Sequence, residues 1–311
     1  MKKLFFFLGK GGVGKTTLAG SFAAYLANNS HKVFLASIDP AHNLFDFFGM
    51  EPGKKGPVKL SEGLTVEEFD IDSYLKKFLK ESSRKMKKTY HYLQMINLEN
   101  MFDVLKHSPG MEEYAMLAAL QELLDAWESG VDYMIIDTPP TGLMLKIFFI
   151  PNTTLLWIGK LKELRLKILE RRSQIAHIKG KDEFEEGVPL DVSDDVIFKE
   201  LQAQEELSKK LSKMFADTEI CKKVLVLNYD ELSIKEGLKI INDLSTINVS
   251  VDLAVLNKKG MSDAAANNEK LKGLLKKISG LTRIEIPFYR EQVTPRNKMK
   301  EIAKMFATEL L

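Results

Sequence analysis

The 311-residue chain sets 45 Lys and Arg against 43 Asp and Glu, a net charge of +2, so its overall field offers no footprint for nucleic acid. Its hydrophobic fraction of 45% and charged fraction of 28% are those of a globular protein long enough to bury one large core or two modest ones. The one cysteine, Cys221, excludes an intramolecular disulfide and any zinc site built on a Cys-x-x-Cys pair within the chain, so no zinc is expected.

In chain order, strands are predicted at Lys3–Leu8, Lys32–Ile38, Thr65–Ile71, Tyr133–Ile136, Lys223–Leu227, Ser250–Leu256 and Arg283–Ile286. Most are continuous aliphatic and aromatic runs, the pattern of strands buried on both faces in a mostly parallel sheet. Helices are predicted between them at Lys15–Asn28, Met111–Glu128, Ile234–Leu244, Ala264–Ile278 and Gln292–Thr308. This alternation predicts an α/β fold with a doubly wound, mostly parallel sheet. Residues 73 to about 107, 159–178 and 194–216 break the alternation and read as helix. They are taken as an α-helical subdomain, from insertions at about 73–107 and 159–216, within a single domain spanning 1–311.

Two apolar stretches bear on location. Residues 4–8 are too few for a secretory leader, and glycine and lysine follow at once. Leu143–Leu161 is interrupted by Lys146, Pro151, Asn152 and Lys160, so it is not read as a membrane span. A cytoplasmic protein is expected, with peripheral membrane association as an option.

The chemistry starts at residues 9–17, GKGGVGKTT. Gly9, Gly11 and Gly14 fit the dinucleotide fingerprint G-x-G-x-x-G, and the same residues with Lys15 and Thr16 fit the phosphate loop G-x-x-x-x-G-K-[ST]. Both patterns place a glycine loop between a strand and a helix N-terminus, where backbone N–H groups receive phosphate. Asp39 even offers the acidic residue of the dinucleotide pattern. Three features decide for the triphosphatase. Lys15 can reach the β- and γ-phosphates while Thr16 ligates Mg²⁺, and a dinucleotide loop needs neither. Tyr133–Asp137 is an apolar strand ending in a carboxylate, which places Asp137 near the metal. Asp39 is followed by Pro40, Ala41, His42 and Asn43, a polar loop rather than a ribose-binding turn. The second loop lysine, Lys10, is either a solvated surface lysine or the extra lysine of a deviant Walker A loop, which acts across a dimer on the partner's nucleotide.

The segments Gly9–Thr17, Asp39–Leu44 (DPAHNL), Ser108–Glu113, Asp137–Gly142 (DTPPTG), Asn257 and Ile286–Glu291 occur in this order. In them the chain resembles the arsenical-pump ATPase family, which includes the targeting ATPases of tail-anchored membrane proteins. The resemblance covers nearly the whole chain. It implies a homodimeric P-loop ATPase that uses ATP and Mg²⁺. It assigns Lys10 to the partner's nucleotide and Lys15, with Gly11, Gly12, Val13, Gly14, Thr16 and Thr17, to the phosphates. Thr16 would bind Mg²⁺, with Asp137 acting directly or through water, and Asp39 would activate the attacking water. Asn257, Pro287 and Phe288 would hold the base. Asp39, Pro40, His42 and Asn43 would form one switch, and Asp137, Thr138 and Gly142 the other. A helix cap or the outer Mg²⁺ shell is the alternative for Asp39. Leu143 and Lys146 depart from the family's second switch, and the single cysteine departs from its zinc clasp and its metalloid-binding thiolates.

The helical stretches carry the partner question. Met86, Met95, Met101, Met111 and Met116, and the helical series Leu161, Leu164, Ile168, Ile175 and Ile178, either pack the subdomain or hold hydrophobic transmembrane-segment clients. The leading expectation is an ATPase whose dimer opening and closing handles tail-anchored or other membrane proteins. The alternatives are the catalytic subunit of a membrane anion or metalloid efflux pump, with a membrane receptor or pump subunit as partner, and a partition-type positioning ATPase. No nucleic-acid partner is expected.

Overall fold

A computed structural model describes residues 2–39, 44–51, 56–70, 73–77, 79–81, 84, 111–180, 184, 188–261, 269–291, 293 and 298–311, with backbone alone for 111–114 and 117. The described chain divides into two compact units, Met1–Ile147 with Asp217–Leu311, and Phe148–Ala216.

The first unit is built on an eight-stranded sheet in the spatial order β3-β4-β2-β5-β1-β6-β7-β8. The strands are β1 (Lys3–Leu8), β2 (Val33–Ser37), β3 (Val58–Lys59), β4 (Leu64–Glu68), β5 (Tyr133–Asp137), β6 (Cys221–Asn228), β7 (Leu253–Lys259) and β8 (Thr282–Pro287). All neighbours are parallel except β3, which pairs antiparallel with β4. The doubly wound, mostly parallel sheet expected from the sequence is therefore present. Its central strand, β1, feeds straight into the glycine loop and α1 (Lys15–Asn28), so the loop lies at the carboxyl ends of the strands, where open α/β sheets bind ligands.

Aromatic packing seats α1. Phe5 and Phe7 of β1 and Phe22 of α1 are all fully buried. The Phe5 and Phe22 rings meet edge-on with centroids 5.0 Å apart, and Phe306 of the last helix (Met299–Leu310) closes the cluster 5.5 Å from Phe22. The short α2 (Leu44–Phe47) adds Leu44 and Phe45 to the same core, and α3 (Met111–Glu128) leads into β5.

Some predicted bounds shift. β7 begins at Leu253 rather than Ser250, because the Asp252 carboxylate accepts the Lys223 N–H at 2.8 Å and fixes the lead-in before the ladder starts. It then runs through polar Asn257, which pairs with Asn228. The helix predicted from Ile234 starts at Glu231, since Asp230 caps it by accepting the Ser233 N–H at 2.8 Å. The helices predicted at Ala264–Ile278 and Gln292–Thr308 are described only as Glu269–Lys277 and Met299–Leu310; residues 262–268, 292 and 294–297 lie outside the described residues.

The second unit holds most of α4 (Thr141–Lys179) and all of α5 (Val196–Ala216). The sequence reading starts a helix only at 159, but α4 runs through Pro151. Proline forfeits one backbone donor, and nearby the Thr153 hydroxyl donates to the Phe149 carbonyl at 2.7 Å. Phe148 and Phe215 join α4 to α5 with ring centroids 4.9 Å apart. Arg165 reaches buried Asp195 at 2.6 Å, and Asp195 also caps α5 by accepting the Phe198 N–H at 2.6 Å. Burial opposes ionisation of Asp195, yet these two bonds hold its carboxyl below the usual range. By length and composition α4 could cross a membrane, although a third of its most apolar window (33%) is buried. Leu156, Trp157 and Ile178 of this helix are 74%, 68% and 82% exposed.

One carboxylate in the first unit makes stability pH-dependent. Burial, helped by the charge of Glu122, pushes Glu67 of β4 up to about 7. Glu122 itself is held low against its burial by Lys77, 2.6 Å away, and by the Tyr74 hydroxyl. A folded-state pKa above the unfolded value means the folded protein keeps a proton that the unfolded chain releases. The contribution is complete below about pH 4.5 and is lost as pH rises through about 7. Urea midpoints at pH 5.5 and 8 should therefore fall with pH in the parent, and fall less in Glu67→Gln.

Candidate nucleotide site

The loop conformation explains its glycines. Gly9 has φ 141°, and a Cβ there would lie 2.3 Å from the Val226 carbonyl oxygen. Gly14 has φ 100°, and a Cβ would lie 2.6 Å from the Asn257 amide nitrogen. Only glycine lets the loop press against β6 and β7 in this way. Gly14 then opens α1, its carbonyl accepting the Leu18 N–H at 3.0 Å.

Lys15 follows as a buried residue, 5% exposed, its ammonium donating back to the Lys10 carbonyl at 3.0 Å. Burial lowers its pKa, opposed by the charges of Asp137 and Asp39. Next to it, the Thr16 hydroxyl donates to Asp137 Oδ2 at 2.6 Å, and Ser37 adds a longer bond of 3.4 Å. Register explains this meeting, since Ser37 of β2 and Phe7 of β1 both pair with Asp137 of β5. Burial pushes Asp137 up to about 6, with Thr16 and Lys15 pulling it back. Thr138 is buried and donates to the Phe7 carbonyl at 2.6 Å. Asp39 leaves β2 just beyond, buried, its N–H 3.4 Å from the Ser37 hydroxyl.

Lys15, Thr16 and Asp39 face a cavity of about 590 Å³ lined also by Gly12, Gly14, Thr17, Asn257, Pro287 and Phe288, whereas Asp137 and Thr138 are not among its lining residues. The lining also includes Asp46, Phe47, Lys258, Tyr289 and Glu291, which the sequence reading did not single out. Asn257 donates its side-chain amide to the Val13 carbonyl at 2.8 Å, so it braces the loop. Phe288, 39% exposed, is held by its N–H on the Lys259 carbonyl at 2.8 Å. Lys10 stands apart, its ammonium 3.4 Å from Glu236 Oε1 on the helix Glu231–Ser245. Gly11 is exposed and Val13 buried in the loop, and Gly142 is exposed in the first turn of α4. Pro40, His42 and Asn43 lie outside the described residues, as do the methionine-rich positions 86, 95 and 101.

The donor set suits a nucleotide with Mg²⁺. Oδ1 of Asp137 is buried with no hydrogen-bond donor, and the Thr16 hydroxyl oxygen lies beside the other carboxylate oxygen. One carboxylate and one hydroxyl are what Mg²⁺ takes from a protein when phosphate and water fill its remaining positions. Among the described residues no group of three or more His, Cys, Asp or Glu is placed to hold a metal.

A sequence profile of the anion-transporting ATPase family matches residues 2–306. The chain belongs to that family. It is 32% identical, over 97% of its own length and 98% of the relative's, to a protein of Aquifex aeolicus provisionally named arsenical pump-driving ATPase 2. It is 30% identical to the ATPase GET3 of Komagataella phaffii, over 84% of this chain and 74% of that one. The ATPase GET3B of Arabidopsis thaliana is 29% identical over 83% of this chain and 64% of its own. The family and the doubly wound fold implied by the resemblance are borne out, and the reaction is ATP hydrolysis.

Proposed function

We propose that the protein is a homodimeric, Mg²⁺-dependent ATPase whose nucleotide-driven opening and closing handles a hydrophobic client, with transmembrane segments of membrane proteins as the client class. The observation carrying the client reading is the apolar surface of α4, where Leu156, Trp157, Leu161, Leu164, Ile175 and Ile178 are exposed. Exposed apolar side chains clustered on one element mark an interaction site.

In this reading Lys15 and the loop N–H groups hold the β- and γ-phosphates. Thr16 would hold Mg²⁺, with Asp137 doing so directly or through water, and the ion would supply charge neutralisation to the phosphates. Asp39 orients water toward the γ-phosphorus as the bond to the ADP oxygen breaks. Asn257, Pro287 and Phe288 flank the base. Lys10 leaves Glu236 to reach the partner's nucleotide. The segments 39–43 and 137–142 carry the nucleotide state to the helical subdomain, whose insertions are assigned to about 73–107 and 159–216 of a single P-loop domain. The protein works in the cytoplasm and meets the membrane peripherally.

The name of the Aquifex aeolicus relative favours a second reading, the catalytic subunit of a membrane anion or metalloid pump. Cys221 counts against metalloid sensing within this chain. Its thiol is fully buried, and burial pushes it up to about 12, so it supplies no thiolate.

Co-expression of Asp39→Asn with a protein bearing a C-terminal transmembrane helix, followed by purification in MgATP without detergent, tests the proposal. A soluble complex of defined mass that requires that helix is expected. Adding Leu156→Ser and Trp157→Ser should lower its yield about tenfold while ATP turnover in the otherwise parental chain stays unchanged. An empty dimer with several such helices would overturn the client reading and leave the pump subunit.

A further inference from the structure

We propose that Lys258 is a positioning residue of the nucleotide site, which orients the phosphate loop from behind and sets the affinity for the nucleotide's phosphates. The proposal rests on the nucleotide reading of the loop. Lys258 follows Asn257 at the end of β7, where regular pairing with β8 holds as far as Leu256 and Glu285 and then slips, so that Lys259 faces Pro287. In this irregularity Lys258 has φ 59°, the left-handed region that non-glycine residues seldom enter. Its N–H donates to Asn257 Oδ1 at 2.9 Å, its carbonyl accepts the Met261 N–H at 3.2 Å, and its ammonium donates to the Gly12 carbonyl at 2.8 Å.

The geometric consequence falls on the loop. Asn257 holds the Val13 carbonyl and Lys258 the Gly12 carbonyl. In a trans peptide the C=O and the following N–H point in opposite directions. Pinning these two carbonyls therefore turns the N–H groups of Val13 and Gly14 away from β7. Two adjacent residues of one strand end thus fix two adjacent donors of the loop before any ligand arrives, and preorganised donors are the ones that strengthen anion binding. Lys258 also lines the cavity itself. Lys10 and Lys259 pair with Glu236 and Glu285, whereas among the described residues the Lys258 ammonium has no carboxylate partner.

A backbone at positive φ favours glycine, and this loop uses one at Gly260, φ 83°, two residues on. A lysine at 258 therefore sets its side chain against backbone preference, and the two effects can be separated. Lys258→Gly, Lys258→Met and Lys258→Arg would be titrated with a fluorescent ATP analogue and with ADP in Mg²⁺, alongside thermal melts and steady-state ATPase kinetics. Lys15→Ala marks the signal as coming from the loop. The expected result is a loss of affinity of about tenfold to a hundredfold in Lys258→Gly and Lys258→Met. Tm of the glycine variant should be unchanged or raised. The loss should appear in KM with kcat within about twofold, and Lys258→Arg should restore most of it. A glycine variant that binds nucleotide as the parent does would overturn the proposal. So would a loss that follows Tm in every variant without rescue by arginine. If the parent itself binds no nucleotide, the nucleotide reading falls, and this proposal with it.

Discussion

Lys15→Ala is expected to lower kcat/KM for ATP about 10³-fold while leaving Tm no lower than that of the parent. The two effects have one cause. Lys15 is 5% exposed, and its ammonium donates to the Lys10 carbonyl 3.0 Å away. Burial lowers its pKa against the pull of Asp137 and Asp39. The sign follows directly: a base whose folded-state pKa lies below its unfolded value is charged at a cost in the fold at any pH where the unfolded chain is protonated. The charge is thus held at the expense of the empty protein's stability and released from that strain when phosphate arrives. Phosphate release assays and thermal melts at pH 7.5 with and without MgATP check both halves. The parent should gain Tm with nucleotide, and the variant should not. A variant that melts well below the parent without nucleotide would make Lys15 a structural residue first.

How much of this was legible in the sequence depended on where each contact partner sits in the chain. β1 and α1 appear at the predicted bounds, Lys3–Leu8 and Lys15–Asn28, because a doubly buried strand is a continuous apolar run and a phosphate loop fixes where the helix must start. β3, Val58–Lys59, is two residues long and half polar, so no periodicity announces it. The start of α4 is not legible because Pro151 reads as a break, whereas the helix continues through it without the proline's donor.

The site divides in the same way. Lys15, Thr16 and Asp137 come from motifs whose spacing encodes their meeting, and they meet within hydrogen-bonding distance through Thr16 and Asp137. The contacts of Lys10 with Glu236 and of Lys258 with Gly12 join residues far apart in sequence through strand ends brought together by the sheet order. Nothing local in the sequence marks either pair. Asn257 shows the intermediate case, where the motif located the residue but only the structure shows its amide bracing Val13.

Asp39→Asn separates activation of the attacking water from a helix-cap role, two of the three roles that the sequence left open for this carboxylate. Asn is nearly as good a helix cap as Asp, and it keeps the size and the backbone N–H that sits 3.4 Å from Ser37 Oγ. A capping role therefore predicts near-parental turnover. Orientation of the attacking water needs an anionic acceptor, and its loss should lower kcat about 10²- to 10³-fold. Affinity should move the other way or stay constant. Asp39 raises the Asp137 carboxyl by repulsion, and removing that charge makes the pocket more hospitable to the phosphates of ATP. The expected variant binds MgATP at least as tightly as the parent, hydrolyses it at less than about a hundredth of the rate, and accumulates as a nucleotide-filled dimer. Single-turnover phosphate release, read beside light scattering in MgATP, checks this. Turnover within about twofold of the parent would move Asp39 out of the chemistry, to the cap or the outer Mg²⁺ shell.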